Sequence, residues 1–66
     1  MHTLIINSVA KETEAVSLEE LLKELSLHAS LVLVEHNGIA LLRDEWATIA
    51  LTDGDRLELM NIAAGG

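Results

Sequence analysis

The stretch SLEELLKEL, from Ser17 to Leu25, limits the fold of this chain more than any other segment. Ser17 and Glu20 form a capping box, the pairing of a serine hydroxyl and a glutamate that marks the start of a helix. Four leucines follow at the spacing i, i+3, i+4 and i+7: Leu18, Leu21, Leu22 and Leu25. This spacing predicts an amphipathic helix of about ten residues. A helix this short is not stable alone in water, so it must pack on a sheet.

The size of the chain decides how such a domain can be stabilised. A chain of 66 residues buries only roughly 60% of the surface that its unfolded form exposes. It has no cysteine, so neither disulfides nor a zinc–thiolate site can reinforce it. Half of the residues are hydrophobic, nearly all of them aliphatic, and Trp46 is the one aromatic residue. The composition therefore predicts one small domain with an aliphatic core and argues against disorder.

Segments rich in β-branched and aliphatic residues lie on both sides of the predicted helix. The predicted strands are residues 3–7, a weaker run ending at Val16, and residues 31–36, 39–42 and 56–62. Residues 3–7 are apolar enough to be buried on both faces of a sheet. Asn7-Ser8, Asn37-Gly38 and Asp53-Gly54-Asp55 are turn signals, and residues 43–47 predict a helical turn that carries Trp46 into the core. The order β-β-α-β-β-β predicts an α+β domain with a mixed sheet and one main helix packed on one face.

The charge of the chain limits its partners. Eleven acidic and four basic residues give a formal charge of −7. This balance argues against nucleic acid, because neutralising phosphates requires clustered Lys and Arg. It suits solubility or a basic partner surface. The N-terminus lacks the pattern of a signal peptide, and no apolar run is long enough to span a bilayer, which predicts a cytoplasmic protein without a membrane partner.

No motif in the sequence predicts catalysis by this chain alone. The three histidines (His2, His28 and His36) lack the helical spacing of a metal site. Asp53-Gly54-Asp55 lacks the further acidic ligands of a calcium loop, so it is interpreted as a turn. No glycine-rich run lies between a strand and a helix to hold a phosphate. We therefore expect no metal site and no catalytic residues.

The last four residues, AAGG, form the second unusual feature of the sequence. The predicted organisation is a domain over residues 1–62 and a flexible tail over residues 63–66. Fully extended, such a tail reaches about 13–14 Å. Because Gly65 and Gly66 have no side chain, it could enter a narrow channel and present its C-terminal carboxylate. The alternative interpretation is a terminus that is simply frayed.

The sequence as a whole resembles the ubiquitin-like sulfur carriers, which have the β-grasp fold. Within that group it is most similar to the ThiS family of thiamin biosynthesis. The resemblance rests on four features: the V-E-x-N stretch at residues 34–37, Arg43-x-x-Trp46, the Asp53–Asp55 turn, and the Gly-Gly end. It covers essentially the whole chain.

The resemblance implies a protein that is modified rather than one that catalyses. Gly66 would be adenylated by an E1-like, ThiF-type adenylyltransferase that uses ATP and magnesium, so the carrier itself binds no cofactor. The acyl-adenylate would become a thiocarboxylate, with sulfur from a donor such as a cysteine desulfurase. A ThiG-type thiazole synthase would then receive the sulfur. Gly65 would be the slim neighbour that admits Gly66 to the partner, while Met60 and Ile62 either dock on a partner or complete the edge of the core.

Three alternatives share some of these features. The small subunit of molybdopterin synthase uses the same thiocarboxylate chemistry on the same fold, although it is usually longer. A β-grasp interaction module without carrier activity would have glycines that merely fray. Conjugation to lysines, as in ubiquitin, is chemically possible but has no support in the sequence. Fold alone does not decide among them.

Overall fold

The computed structural model describes residues 1–62, which contain five strands, one α-helix and two 3₁₀ helices. The strands are β1 (His2–Ile6), β2 (Val9–Thr13), β3 (Val32–His36), β4 (Ile39–Leu41) and β5 (Arg56–Asn61). The α-helix is α1 (Leu18–Glu24), and the 3₁₀ helices are Ala29–Leu31 and Arg43–Thr48. The predicted order β-β-α-β-β-β is confirmed.

The five strands form one mixed sheet in the order β2-β1-β5-β3-β4. The last strand in sequence, β5, therefore lies in the centre of the sheet. It runs parallel to β1 and antiparallel to β3, while the β1–β2 and β3–β4 pairs are antiparallel hairpins. Helix α1 covers one face, which confirms the predicted α+β arrangement. The opposite face, here called the open face, has no layer over it among residues 1–62.

The core lies between the sheet and the helical layer. The strands contribute Leu4, Val32, Val34, Leu57 and Leu59, and the helical side contributes Ala15, Leu18, Leu21, Leu22, Trp46 and Leu51. Strand β1 was predicted to be buried on both faces, and this was wrong. Leu4 is the one fully buried residue of β1, because residues 1–62 place no second layer over the open face.

Helix α1 begins as predicted and ends earlier. The Ser17 hydroxyl accepts a hydrogen bond from the Glu20 N–H at 3.1 Å. The Glu20 carboxylate accepts from the Val16 N–H at 2.9 Å, one residue before the cap. The helix has seven residues, fewer than the ten expected, because Leu25 is the C-cap and Ser26 adopts a φ of 59°. The buried leucines of the helix still match the predicted apolar face.

Trp46 lies in the second 3₁₀ helix and is only 3% exposed, which confirms that this turn delivers it to the core. The Leu42 N–H donates to the Glu45 carboxylate at 2.7 Å and holds the start of the turn. The Arg43 guanidinium lies 4.4 Å from the centre of the indole, within the range of a cation–π interaction. The buried Nε1 of Trp46 has no hydrogen-bond partner within the part of the chain that the structure describes.

Candidate functional site

The end of β5 is held on both sides, which fixes the point from which the chain continues towards its C-terminus. On one side the Ile62 N–H donates to the Leu31 carbonyl at 2.7 Å, beyond the last residue of the strand. On the other side, where β1 has already turned away, the side chain of Asn7 replaces a strand. Its Nδ2 donates to the Leu59 carbonyl at 3.1 Å, and its Oδ1 accepts from the Leu59 N–H at 2.8 Å.

The predicted reactive residues, Gly65 and Gly66, lie outside the described residues, as does the predicted tail at residues 63–66. The predicted docking residues precede them. Met60 is 56% exposed and Ile62 is 45% exposed, so neither belongs to the buried core. The strand ends at Asn61 rather than at Ile62. Both side chains are accessible to a partner, and their docking role remains a prediction.

Met60 is part of an apolar patch on the open face. It lies directly opposite Leu33 of β3, which is 50% exposed. Beside this pair is a depression of about 120 Å³, lined by Leu33, Val34, Glu35, Ala40, Leu41 and Met60. Sequence reasoning missed Leu33, because LVLV was interpreted only as an apolar run. The period-2 alternation of a strand places Val32 and Val34 in the core and Leu33 outside it.

Two carboxylates face each other on the next rung of the open face. Glu35 of β3 is the register partner of Glu58 of β5, and both residues are exposed. Within residues 1–62, neither side chain makes a hydrogen bond or an ion pair. Like charges directly opposite each other in a sheet destabilise it. The open face therefore combines apolar surface with two carboxylates that form no ion pair within residues 1–62.

Asp55 is the centre of a polar network that ties the β3–β4 hairpin to the start of β5. Its carboxylate lies 2.9 Å from the His36 Nε2 and accepts from the Asn37 Nδ2 at 3.1 Å. It also accepts from the Thr52 N–H at 3.0 Å and from the Thr52 hydroxyl at 3.1 Å. Burial alone would raise the pKa of Asp55, but these hydrogen bonds outweigh it and lower the pKa from 3.8 to about 2.

This network gives the V-E-x-N and Asp-Gly-Asp stretches a structural role. Asn37 also accepts from the Arg56 N–H at 2.8 Å, so it bridges the hairpin turn and the first residue of β5. Gly54 has a φ of 87°, which confirms that Asp53–Asp55 is a turn. The sequence indicated two separate turns, and the structure shows that their side chains meet.

Within residues 1–62, no three His, Cys, Asp or Glu side chains come together in a way that could hold a metal ion. Helix α1 has seven residues, and no helix in this range has the length and apolar character needed to cross a membrane.

Comparison with known proteins identifies relatives over nearly the whole chain. The model of the ThiS family matches residues 3–66. The crystal structure of the thiamine biosynthesis protein ThiS from Geobacter metallireducens has 29% sequence identity and a TM-score of 0.80, covering 97% of this chain and 99% of that one. A solution NMR structure of a thiamine biosynthesis protein from the same organism has 29% identity and a TM-score of 0.79, covering 97% of this chain and 87% of that one.

A second relative comes from another organism. It is the uncharacterized protein ycf40 of Trieres chinensis, which is 28% identical over 54 residues, or 82% of this chain and 74% of that protein. The structural similarity, together with the mixed sheet and its single helix, confirms the predicted β-grasp fold. The family match, which includes the Gly-Gly end, shows that this chain belongs to the ThiS family, whose members are small sulfur carriers rather than enzymes.

Proposed function

We propose that this protein carries sulfur for thiazole formation in thiamin biosynthesis, as a thiocarboxylate on Gly66. The observation that carries the proposal is the family match over residues 3–66, which includes both C-terminal glycines. The name of the Geobacter relative, which has been solved by crystallography and by NMR, favours the thiamin pathway over molybdopterin synthesis. The anchored end of β5 supports the same proposal, because it holds the domain in a fixed position relative to the start of the C-terminal segment.

The chemistry requires activation because a free carboxylate is a poor electrophile. An E1-like, ThiF-type adenylyltransferase joins the Gly66 carboxylate to AMP from magnesium-bound ATP and releases pyrophosphate. Sulfur from a donor such as a cysteine desulfurase, whose persulfide is reduced to the sulfide level by two electrons from a thiol, then displaces AMP and leaves a thiocarboxylate. A ThiG-type thiazole synthase receives the sulfur in exchange for an oxygen atom, which restores the carboxylate. The chain itself supplies the acyl group, so ATP and magnesium belong to the partner.

The proposal divides the chain into a docking domain, residues 1–62, and a reactive tail, residues 63–66. Gly65 keeps the tail narrow beside the reacting carbonyl, since a Cβ there would add width and restrict φ. Met60 and Ile62 are exposed where β5 ends, so they contact the partner that receives the tail.

The direct test is the intact mass of the chain after incubation with its cognate adenylyltransferase, ATP, magnesium and a sulfur source. A gain of roughly 16 Da at the C-terminus corresponds to oxygen replaced by sulfur. A chain lacking Gly66 is the control and should not change. If the full chain gains no mass with either thiamin-type or molybdopterin-type activating enzymes, an interaction module is the better assignment. A gain with the molybdopterin-type enzyme alone would move the protein to that pathway.

The role of Gly65 has a separate test. We predict that Gly65→Val reduces adenylation by about a hundredfold or more, because the added side chain blocks the channel for the tail. The domain should unfold at the same temperature, because the change lies outside residues 1–62. Release of pyrophosphate measures adenylation, and circular dichroism measures unfolding. Normal adenylation of this variant would refute the narrow channel.

A further inference from the structure

We propose that, in the free protein, the C-terminal tail returns to a groove beside helix α1 and pairs its Gly66 carboxylate with the ammonium group of Lys23. The contact is autoinhibitory, because a partner enzyme must release the tail before it can act on the carboxylate. The inference rests on the proposed function in one respect, since it takes Gly66 as the residue that carries the free carboxylate.

The groove lies between the end of α1 and the first 3₁₀ helix, on the helical side of the molecule. Its volume is about 410 Å³. Buried Leu22 and half-buried Leu27 and Ala29 supply its apolar lining, and Lys23 and His28 supply its basic groups. The tail sequence AAGG brings methyl groups and, at its end, one negative charge. Groove and tail therefore match in size and in charge.

Backbone hydrogen bonds connect the end of β5 to this groove. The Ile62 N–H donates to the Leu31 carbonyl at 2.7 Å, and the Leu31 N–H donates to the His28 carbonyl at 2.9 Å. Leu27, the neighbour of His28, donates its N–H to the Leu22 carbonyl at 2.8 Å. The chain thus leaves β5 beside the segment that lines the groove, and that segment is joined to the last turn of α1.

The direction of β5 leads the tail along the same segment. Strand β5 is antiparallel to β3, with Asn61 opposite Val32, so a chain that continues beyond β5 passes the residues that precede β3. Four extended residues reach about 13–14 Å. One turn of a 3₁₀ helix advances about 6 Å, so the tail is long enough to pass the turn between Leu31 and His28.

Lys23 is the cation available to the carboxylate. It is exposed in the last turn of α1 and forms no hydrogen bond or ion pair within residues 1–62. The second lysine of the chain, Lys11, is already paired with Glu24 at 3.1 Å. His28 is also exposed, and its ring has no partner in the same range, so it offers a further donor to the carboxylate.

Two acidic side chains also line the groove and oppose the contact. The Glu20 carboxylate is engaged, because it accepts from the Val16 N–H at 2.9 Å. Glu19 lies one turn before Lys23 but forms no ion pair with it within the described residues. A pair at this spacing on a helix surface is weak in any case. Glu19 therefore competes for Lys23 without saturating it.

The tail of the same molecule is favoured over the tail of a second copy. The end of β5 holds the start of the tail next to the groove, so the carboxylate has a high effective concentration there. Another copy would have to bring its own charge of −7 against this one.

Crosslinking with a carbodiimide tests the contact directly. The reagent joins a carboxylate to an amine that touches it, with loss of one water, so the free chain should form an amide between Gly66 and Lys23. Peptide mass spectrometry locates the amide. The Lys11–Glu24 pair is the internal positive control, because its atoms are 3.1 Å apart. An amide of Lys23 with Glu19 or Glu20 in place of Gly66, or a Gly66–Lys23 amide in crosslinked dimers only, would overturn the inference.

NMR separates a specific ion pair from mere proximity. Lys23→Gln should move the amide resonances of Gly65 and Gly66 towards their positions in a short unstructured peptide, and high salt should do the same to the natural chain. Lys23→Arg keeps the charge and should leave these resonances near their natural positions. Lys11→Gln is the matched control and should not move them. Identical resonances in the natural chain and in Lys23→Gln would contradict the ion pair.

Adenylation measures the autoinhibition. With the cognate adenylyltransferase, Lys23→Gln should raise kcat/KM for the chain by about two- to fivefold, because a larger fraction of tails is free. Lys11→Gln should change it by less than about 1.5-fold. An unchanged or lower value for Lys23→Gln would overturn the autoinhibitory role.

The crosslink distinguishes failure of the inference from failure of the proposed function, because it needs no enzyme. If the Gly66–Lys23 amide forms but no activating enzyme adenylates the chain, the contact stands and the carrier function fails. If the chain is adenylated but the Lys11–Glu24 amide is the only one formed by a lysine, the function stands and the inference is overturned.

Discussion

Asp55 shows how one buried side chain connects segments that are distant in sequence. Its carboxylate accepts hydrogen bonds from Thr52 and Asn37 and lies beside His36, although it is only 8% exposed. A buried carboxylate without such partners would be costly. The network therefore stabilises the folded state when the Asp55 carboxylate is ionised.

This arrangement predicts a dependence of stability on acid. The pKa of Asp55 is about 2 in the folded protein, whereas the ordinary pKa of an aspartate is 3.8. Its contribution is thus fully present above pH 3.8 and is lost as the pH falls towards 2. It amounts to about 2 kcal/mol in the free energy of unfolding. Urea unfolding across this pH range should show that the free energy of unfolding of the natural chain falls as the pH is lowered. The free energy of unfolding of Asp55→Asn should depend less on pH. Equal pH dependence in both chains would contradict the assignment.

The sequence predicted the turns that contain these residues but not the contacts between them. Asn37-Gly38 and Asp53-Gly54-Asp55 are local signals, so both turns could be predicted from the residues within them. The contact between Asn37 and Asp55 could not, because it depends on strands β3 and β5 becoming neighbours. The same limit applies to the Glu35–Glu58 pair. Neither glutamate is unusual until the register places one opposite the other.

At the level of elements, a side chain takes the place of a neighbouring strand along part of β5. Beyond Leu57, which pairs with Ile6 of β1, the side chain of Asn7 bonds both backbone groups of Leu59. Asn7 itself lies in the turn between β1 and β2 with a φ of 50°. Asparagine tolerates this conformation better than most residues. One residue therefore closes a hairpin and extends the attachment of the central strand.

Two variants separate these roles of Asn7. Asn7→Ala should lower the free energy of unfolding by about 2–4 kcal/mol, because it removes both hydrogen bonds and strains a left-handed backbone. Asn7→Gly removes the same bonds but accepts the positive φ, so it should cost about 1 kcal/mol less than the alanine variant. Chemical denaturation measures both. Identical losses would mean that the backbone conformation contributes nothing measurable.

The elements themselves were largely predictable, and their limits less so. The leucine spacing and the Ser17 cap place α1 correctly, but its end at Glu24 depends on a local turn at Ser26, whose φ of 59° is uncommon for serine. Strand β1 was expected to be covered on both faces because its residues are mostly β-branched and apolar. Apolar composition indicates a strand but does not say how many layers the molecule builds around it.

For the molecule as a whole, one small core carries the stability. A chain of 66 residues has a free energy of unfolding of roughly 3–10 kcal/mol. Leu57 is 1% exposed in the central strand, so Leu57→Ala should cost about 2–5 kcal/mol, a large share of that free energy. Leu42→Ala is the matched control at a site that is 68% exposed, and it should be nearly neutral. Circular dichroism with urea measures both, and equal effects would contradict the assigned core.

The single indole of this protein has an optical consequence. Since Trp46 is the only aromatic residue, all intrinsic fluorescence comes from one buried position in the core. Unfolding exposes that indole to water, so the emission should move to longer wavelengths. A partner bound on the open face would leave the indole in its dry surroundings on the helical side. The emission wavelength of the natural chain therefore reports whether its core is folded. It should not change when a partner binds to the open face.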